Sequence, residues 1–155
     1  MLSLLHIENI AVIECADISF DAGFNILTGE TGAGKSIVID AISAILGERA
    51  YRDMIRTGTE IASVRAVFTD VPELDWFQEN GVEYDAETII QREVYLDGKN
   101  VCRVNGTLVT VSILRKLGIQ LINIHGQHDS ASLFDERNHL TFLDDFASNE
   151  ELRSD

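Results

Sequence analysis

Apolar and polar positions alternate, imperfectly, over residues 2–10 and again over 11–20, both rich in Ile and Val, and this predicts two strands. Asp21-Ala22-Gly23 is a turn. Residues 24–28, Phe-Asn-Ile-Leu-Thr, read as a short apolar strand running straight into a glycine-rich loop. The run from Ile37 to Leu46 is apolar on most faces and stops at Gly47, which predicts a buried helix with a glycine stop. Its β-branched residues suit a strand equally well; its place directly after the glycine loop decides for the helix.

Residues 48–60 are polar and irregular. Strand-like patterning returns at 62–70, 87–96 and 100–104. Asp97-Gly98, between the last two, is a strong hairpin signal, because such a two-residue turn needs positive φ at both positions. Asn105-Gly106 offers a second turn of this kind before a strand at 107–111. Together these predict a small antiparallel lobe over about 61–111, inserted after the helix. Residues 112–117 read as a short helix ended by Gly118. Residues 120–124 read as a buried strand, followed by His125-Gly126-Gln127-His128. From Asp135, as N-cap, a further helix is expected, with Leu140, Leu143 and Phe146 on one face. There is no repeat and no low-complexity linker.

A chain of 155 residues with 45% hydrophobic content is enough for one domain, or for one lobe of a larger one. No apolar run approaches the roughly 18 residues that would cross a membrane. Residues 1–6 lack a basic region and a small-residue cleavage site, so the start reads as mature protein rather than a signal peptide. Cys15 and Cys102 make neither a disulfide framework nor a metal cluster, and read as buried free thiols in a reducing cytoplasm. The net charge of −14, from 12 basic and 26 acidic residues, changes the expected partners. Affinity for nucleic acid comes largely from neutralising phosphates. Any DNA contact must therefore come from a local patch or from protein beyond this chain. Arg52 and Arg56, after the helix, are placed to reach DNA or nucleotide, or to form surface salt bridges.

The chemistry is concentrated in Gly29-Glu30-Thr31-Gly32-Ala33-Gly34-Lys35-Ser36, which satisfies the phosphate-loop pattern of Gly, four residues, Gly-Lys and Ser or Thr. Gly29, Gly32 and Gly34 let the backbone turn tightly and approach phosphates without a Cβ in the way. Backbone N–H groups and the positive end of the following helix then face the anion. Lys35 reaches the β- and γ-phosphates and the Ser36 hydroxyl ligates Mg²⁺. Residues 29–36 with Ile37 form the expected cofactor-binding set, for a nucleoside triphosphate with Mg²⁺. An NTPase of this kind also needs an acid at the end of a second strand. Leu140-Thr141-Phe142-Leu143-Asp144-Asp145 offers paired carboxylates, but its spacing continues helically to Phe146. The strand ending at Ile124 delivers His125 and Gln127 instead. A glutamine there can touch Mg²⁺ and orient a water, but is a poor general base. The sequence thus reads as a phosphate cradle without its catalytic carboxylate, half of a site.

Thr28 to Ser36, Ile39-Asp40-Ala41, Leu46-Gly47 and Ile55-Arg56-Thr57-Gly58 together resemble the N-terminal head segment of the RecN family, bacterial DNA-repair members of the SMC-like ABC ATPases. Val101-Cys102-Arg103-Val104-Asn105-Gly106, Val109-Thr110-Val111-Ser112 and Ile124-His125-Gly126-Gln127-His128 resemble the same family in the same order, so the likeness runs from Met1 to about Phe146. It implies an α/β P-loop NTPase fold, the N-terminal part of an ABC/SMC-type head, with a mixed sheet and an antiparallel β lobe. It implies ATP rather than GTP, Lys35 and Gln127 as catalytic residues, Ser36 and Gln127 at the metal, and residues 124–128 as the Q-loop. The signature motif and acidic strand would come from a C-terminal head segment of the same protein, beyond a coiled coil whose connection starts in residues 147–155. Two such heads would sandwich ATP as a homodimer acting on DNA, in the cytoplasm and associated with the nucleoid.

His125 and His128 are three apart, but no third metal ligand is visible. Their expected roles are Q-loop shape, a contact near the γ-phosphate, or structure. Asn9 and Ile10 stand between the first strands, where related heads contact adenine. Trp76 and Phe77 read as packing under a loop, and Cys102 as core. Three rivals remain open: the head of another SMC or RecF-type ATPase, a self-contained small NTPase using Asp144 or Asp145, and a dimerisation module that merely retains the loop.

Overall fold

The computed structural model describes residues 1–28 and 33–122. The chain runs β1 (Leu2–Ile10), β2 (Ile13–Ser19), α1 (Ala33–Ile45), a single 3₁₀ turn at Arg52–Met54, β3 (Ile61–Phe68), α2 (Asp75–Glu79), β4 (Thr88–Tyr95), β5 (Asn100–Val104), β6 (Thr107–Val109) and α3 (Val111–Leu121). The strands form one sheet in the order β2-β1-β3-β4-β5-β6, and every neighbouring pair is antiparallel.

Alternation makes the sheet two-faced. Leu5, Ile7, Ala62, Val64, Ala66, Phe68, Ile90, Val94, Cys102 and Val104 are buried on one face. His6, Glu8, Arg65, Gln91 and Glu93 alternate with them on the other. The apolar stripe of α1, Ile37, Val38, Ala41, Ala44 and Ile45, packs on the buried face against β1, β3 and β4. Each such large aliphatic side chain taken out of water contributes about 1.5–3 kcal/mol. α3 buries Leu114 and Leu117 and packs on β5. Thr110 caps it, its hydroxyl accepting from the Ile113 N–H at 3.2 Å. The strands expected over about 61–111 are thus continuous with the first hairpin, because β3 pairs with β1 from Leu2↔Phe68 to Glu8↔Ser63.

The two hairpin signals resolve into different turns. At Asn105-Gly106 both residues have positive φ (48° and 81°), as a two-residue primed turn requires. At Asp97-Gly98 only Gly98 does (94°). There the Gly98 N–H donates to Tyr95 at 2.9 Å and the Tyr95 N–H to Lys99 at 2.8 Å, a three-residue loop with a glycine bulge. Trp76 and Phe77 are buried in α2, a helix the sequence pattern did not announce, and Trp76 Nε1 donates to the Ile113 carbonyl at 2.9 Å.

Several expectations are corrected. Residues 24–28 form no strand, and no strand among the described residues pairs with them; Phe24 is 90% exposed and Ile26 69%. Gly118 does not end a helix but lies buried inside α3, so Gln120 and Leu121 belong to its last turn; of the strand expected over 120–124, Ile122 is extended, and 123–124 lie outside the described residues. Cys15 is exposed, since it faces outward on the edge strand β2, whereas Cys102 is buried as expected. All strand pairings among the described residues are antiparallel, and the parallel part of the expected mixed sheet has no counterpart among them. Gln127, His125, His128, the helix from Asp135 and Asp144-Asp145 lie outside the described residues.

Candidate nucleotide site

Gly29, Glu30, Thr31 and Gly32 lie outside the described residues, and Ala33 is the first residue of α1. Because Ile37, Val38, Ala41, Ala44 and Ile45 turn α1 onto the sheet, Gly34, Lys35 and Ser36 are left exposed on its first turn. That turn carries backbone N–H groups without helical partners and the positive end of the helix dipole, equivalent to roughly half a charge. A Cβ added to Gly34 would meet nothing within 4 Å. Packing among the described residues therefore does not demand glycine there, whereas the close approach of a phosphate does. Ser36 offers its hydroxyl oxygen to a cation, and Asp40, also exposed, follows one turn later. Mg²⁺ commonly takes one or two protein oxygens and completes its shell with phosphate and water, so this donor set fits it.

The β1–β2 turn is strapped to the segment after α1. Ile10 bridges Ile55, the Ala11 N–H donates to Met54 at 2.8 Å, and the Arg56 N–H donates to Asn9 at 2.9 Å. Asn9 and Ala11 adopt φ of 55° and 50° to make these approaches. A cavity of about 350 Å³ opens beside the strap, lined by Ile10, Ile37, Asp40, Ser43, Arg49 and Tyr51, with the Arg49 guanidinium 5.0 Å from the Tyr51 ring centre. The fold so brings Ile10 and Ile37, singled out separately, to one cavity. Asn9 uses its carbonyl on Arg56, and the Arg56 side chain donates to the Val12 carbonyl at 3.3 Å; Arg52 is exposed. A larger cavity, about 470 Å³, lies on the polar sheet face with His6, Glu8, Arg65, Gln91 and Glu93. It is on the side away from α1 and holds none of the phosphate-loop residues. Among the described residues, no cluster of three or more His, Cys, Asp or Glu could hold a metal ion, and no helix is long and apolar enough to cross a membrane.

Sequence reasoning passed over Arg92. It is 2% exposed and donates to the carbonyls of Ala44 (2.7 Å) and Glu48 (2.5 Å) and to Asn100 Oδ1. Burial pulls its guanidinium below the ordinary arginine value, opposed by Cys102 and Glu48, and burial pushes the Cys102 thiol up. The available signal was a charged residue on the inward register of an alternating strand, between Ile90 and Val94.

A family model described as an AAA domain matches residues 4–151. The DNA repair protein RecN of Bacillus subtilis strain 168 is 46% identical over 154 residues, which are 97% of this chain and 27% of the relative. RecN of Vibrio cholerae is 37% identical over 155 residues, 98% of this chain and 28% of the relative. The chain thus spans 27–28% of the length of these relatives. Among solved structures, the fold is shared with an SMC ATPase chain studied for ATP-driven dimerization and DNA-stimulated activation. Its TM-score is 0.67 at 24% identity, covering 94% of this chain and 98% of that one. The SMC head domain from Thermotoga maritima gives a TM-score of 0.57 at 27% identity, over 75% of this chain and 41% of that one.

Proposed function

This chain belongs to the AAA domain family as a RecN-type sequence, and from that premise we propose that it is an ATP-binding head segment acting in recombinational repair of DNA double-strand breaks. The observation that carries the reading is the first turn of α1, where Lys35 and Ser36 stand exposed directly after the phosphate-loop glycines. Lys35 binds the β- and γ-phosphates and screens their charge. Ser36 holds Mg²⁺, which when bound supplies Lewis-acid polarisation of the phosphate oxygens. The cavity beside Ile10 and Ile37 takes the base side of the nucleotide, and Gln127 completes the nucleotide contacts and orients water.

The site is half of an ATPase site, and a C-terminal head segment of the same protein brings the acidic strand and the signature motif. The exposed apolar run of Phe24, Ile26 and Leu27, leading into the phosphate loop, supports this. Exposed apolar residues in series mark a surface that a partner covers. Two completed heads sandwich ATP, as the ATP-driven dimerization named for the SMC relative suggests, and the cycle opens and closes a clamp on DNA. With a net charge of −14, any DNA contact comes from a local basic patch on this chain or from protein beyond it.

The test is steady-state ATP hydrolysis by this chain alone and mixed with a separately made C-terminal segment, with Lys35→Ala as control. Mg-ATP binding with negligible turnover alone, and Lys35-dependent turnover on mixing, is expected. Turnover on the order of 1 per second by the chain alone would overturn the half-site reading and point to Asp144 or Asp145. Folded, associating pieces that gain no turnover would overturn it as well.

A further inference from the structure

Lys35 and Ser36 work only if α1 is held in place, and the described structure shows what holds its far end. Glu48 N–H donates to Ser43 at 3.0 Å and Gly47 N–H to Ala44 at 3.1 Å, closing the helix with Gly47 at φ 85°. Onto this turn reaches Arg92 from β4. Its Nη1 donates to Ala44 and Glu48, while Nε and Nη2 donate to Asn100 Oδ1 on β5 at 3.1 and 3.0 Å. A full positive charge thus sits at the negative end of the helix dipole, shielded from water, where such an attraction is strong. The planar fork of a guanidinium fixes direction as well as distance.

We propose that Arg92 is a positioning residue for the nucleotide, clasping the C-terminal turn of α1 to β4 and β5 so that Lys35 and Ser36, at the other end, meet the triphosphate in register. This rests on the nucleotide reading above. α1 has 13 residues and so spans about 20 Å. A helix that length transmits a hold at one end to the other as a nearly rigid rod. Its apolar stripe keeps α1 on the sheet and sets its rotation. The Arg92 bonds are directional and add a restraint on sliding along the axis. Misplacement of reacting or binding groups by about 1 Å can cost up to a hundredfold, so a loosened α1 shows first as weak binding rather than as unfolding.

The experiment measures Mg-ATP affinity of the 155-residue chain and of its Arg92→Met, Arg92→Lys and Asn100→Ala variants, with Lys35→Ala as the lost-site reference. Each is compared at a temperature where circular dichroism reports it fully folded, and amide hydrogen exchange is followed in parallel. Arg92→Met is expected to bind about tenfold or more weakly and to exchange faster at residues 37–45, with β3 unchanged. Arg92→Lys, which keeps the carbonyl bonds but loses the fork to Asn100, is expected to recover part of the affinity. A folded Arg92→Met with unaltered affinity overturns the proposal. Should that variant fail to fold, Asn100→Ala decides, since it leaves Arg92 its carbonyls but not its orientation; several-fold weaker binding supports the proposal and unaltered binding overturns it. An unaltered chain that binds no better than Lys35→Ala overturns the nucleotide reading, and this inference with it.

Discussion

Gly118, inside α3, lies against the backbone of Leu46 at the end of α1: a Cβ placed on it would fall 2.8 Å from the Leu46 carbonyl carbon and 2.9 Å from its Cα. Gly47 makes the reciprocal approach, with the Arg115 backbone nitrogen 2.5 Å from where its Cβ would be. The helix that starts at the phosphate loop and the helix that precedes the Gln127 segment therefore touch backbone to backbone.

That contact reverses the usual sign of a substitution. Alanine in place of a mid-helix glycine ordinarily stabilises by about 0.8–1 kcal/mol. Here Gly118→Ala is expected to destabilise by about 1–3 kcal/mol, the range for forcing extra volume into a packed contact. Urea unfolding checks it, and a more stable Gly118→Ala protein would mean that the helices do not approach as described.

Ala11 offers the opposite case. Its φ of 50° is strained for a residue with a Cβ, at about 1–2 kcal/mol, and glycine relieves the strain at an entropic cost of about 0.5–1 kcal/mol. Ala11→Gly is accordingly expected to stabilise by about 0.5 kcal/mol, read as a higher urea midpoint with unchanged slope. A loss of stability would show that the strap to Met54 and Arg56 depends on the alanine methyl.

The two thiols separate by burial. A thiol reagent is expected to modify Cys15 in the native protein and Cys102 only on unfolding, as mass spectrometry of the labelled chain would show. Burial raises the Cys102 pKa in the folded state. Above about pH 8.5 the unfolded thiol gives up its proton while the folded one keeps it. The unfolded state then binds fewer protons, so the stability this thiol contributes is full below that pH and declines as pH rises through the folded value. The stability of the protein should fall relative to that of Cys102→Val as pH is raised from 8 to 10; parallel curves would contradict the burial.

Phe24 and Ile26 carry large apolar surface that the described residues leave uncovered. Replacing both with serine is expected to change the stability of this chain by no more than about 0.5 kcal/mol. The same pair of changes should weaken association with the C-terminal head segment, measured by titration calorimetry. A large stability loss in the chain alone would show that these residues are packed after all.

The phosphate-loop pattern was legible because its expected chemistry is local: each residue would answer to a turn, a phosphate or a cation within a few positions. Gly118 was misread because a missing Cβ serves both to stop a helix and to admit a neighbouring backbone, and that neighbour, Leu46, is far along the chain. Residues 24–28 carry an apolar pattern that suits a strand, yet no edge among the described residues accepts their hydrogen bonds. Arg92 was visible as a charge on an inward register, but its partners, the Ala44 and Glu48 carbonyls, come within reach only once α1 lies on the sheet.

The sequence by itself determined the phosphate-loop pattern of residues 29–36 and the nucleotide expectation it carries, the helix after them with its Gly47 stop, the alternating strands and the Asn105-Gly106 turn. These follow from periodicity, from φ preferences and from side chains acting on their own neighbourhood. Only the tertiary structure decided that β1 stands between β2 and β3 in one antiparallel sheet, that Arg92 grips the end of α1, and that Gly118 marks a helix crossing rather than a helix end. Each of these joins segments distant in sequence, and such joins are selected by the shared burial of an apolar face, which no single segment contains.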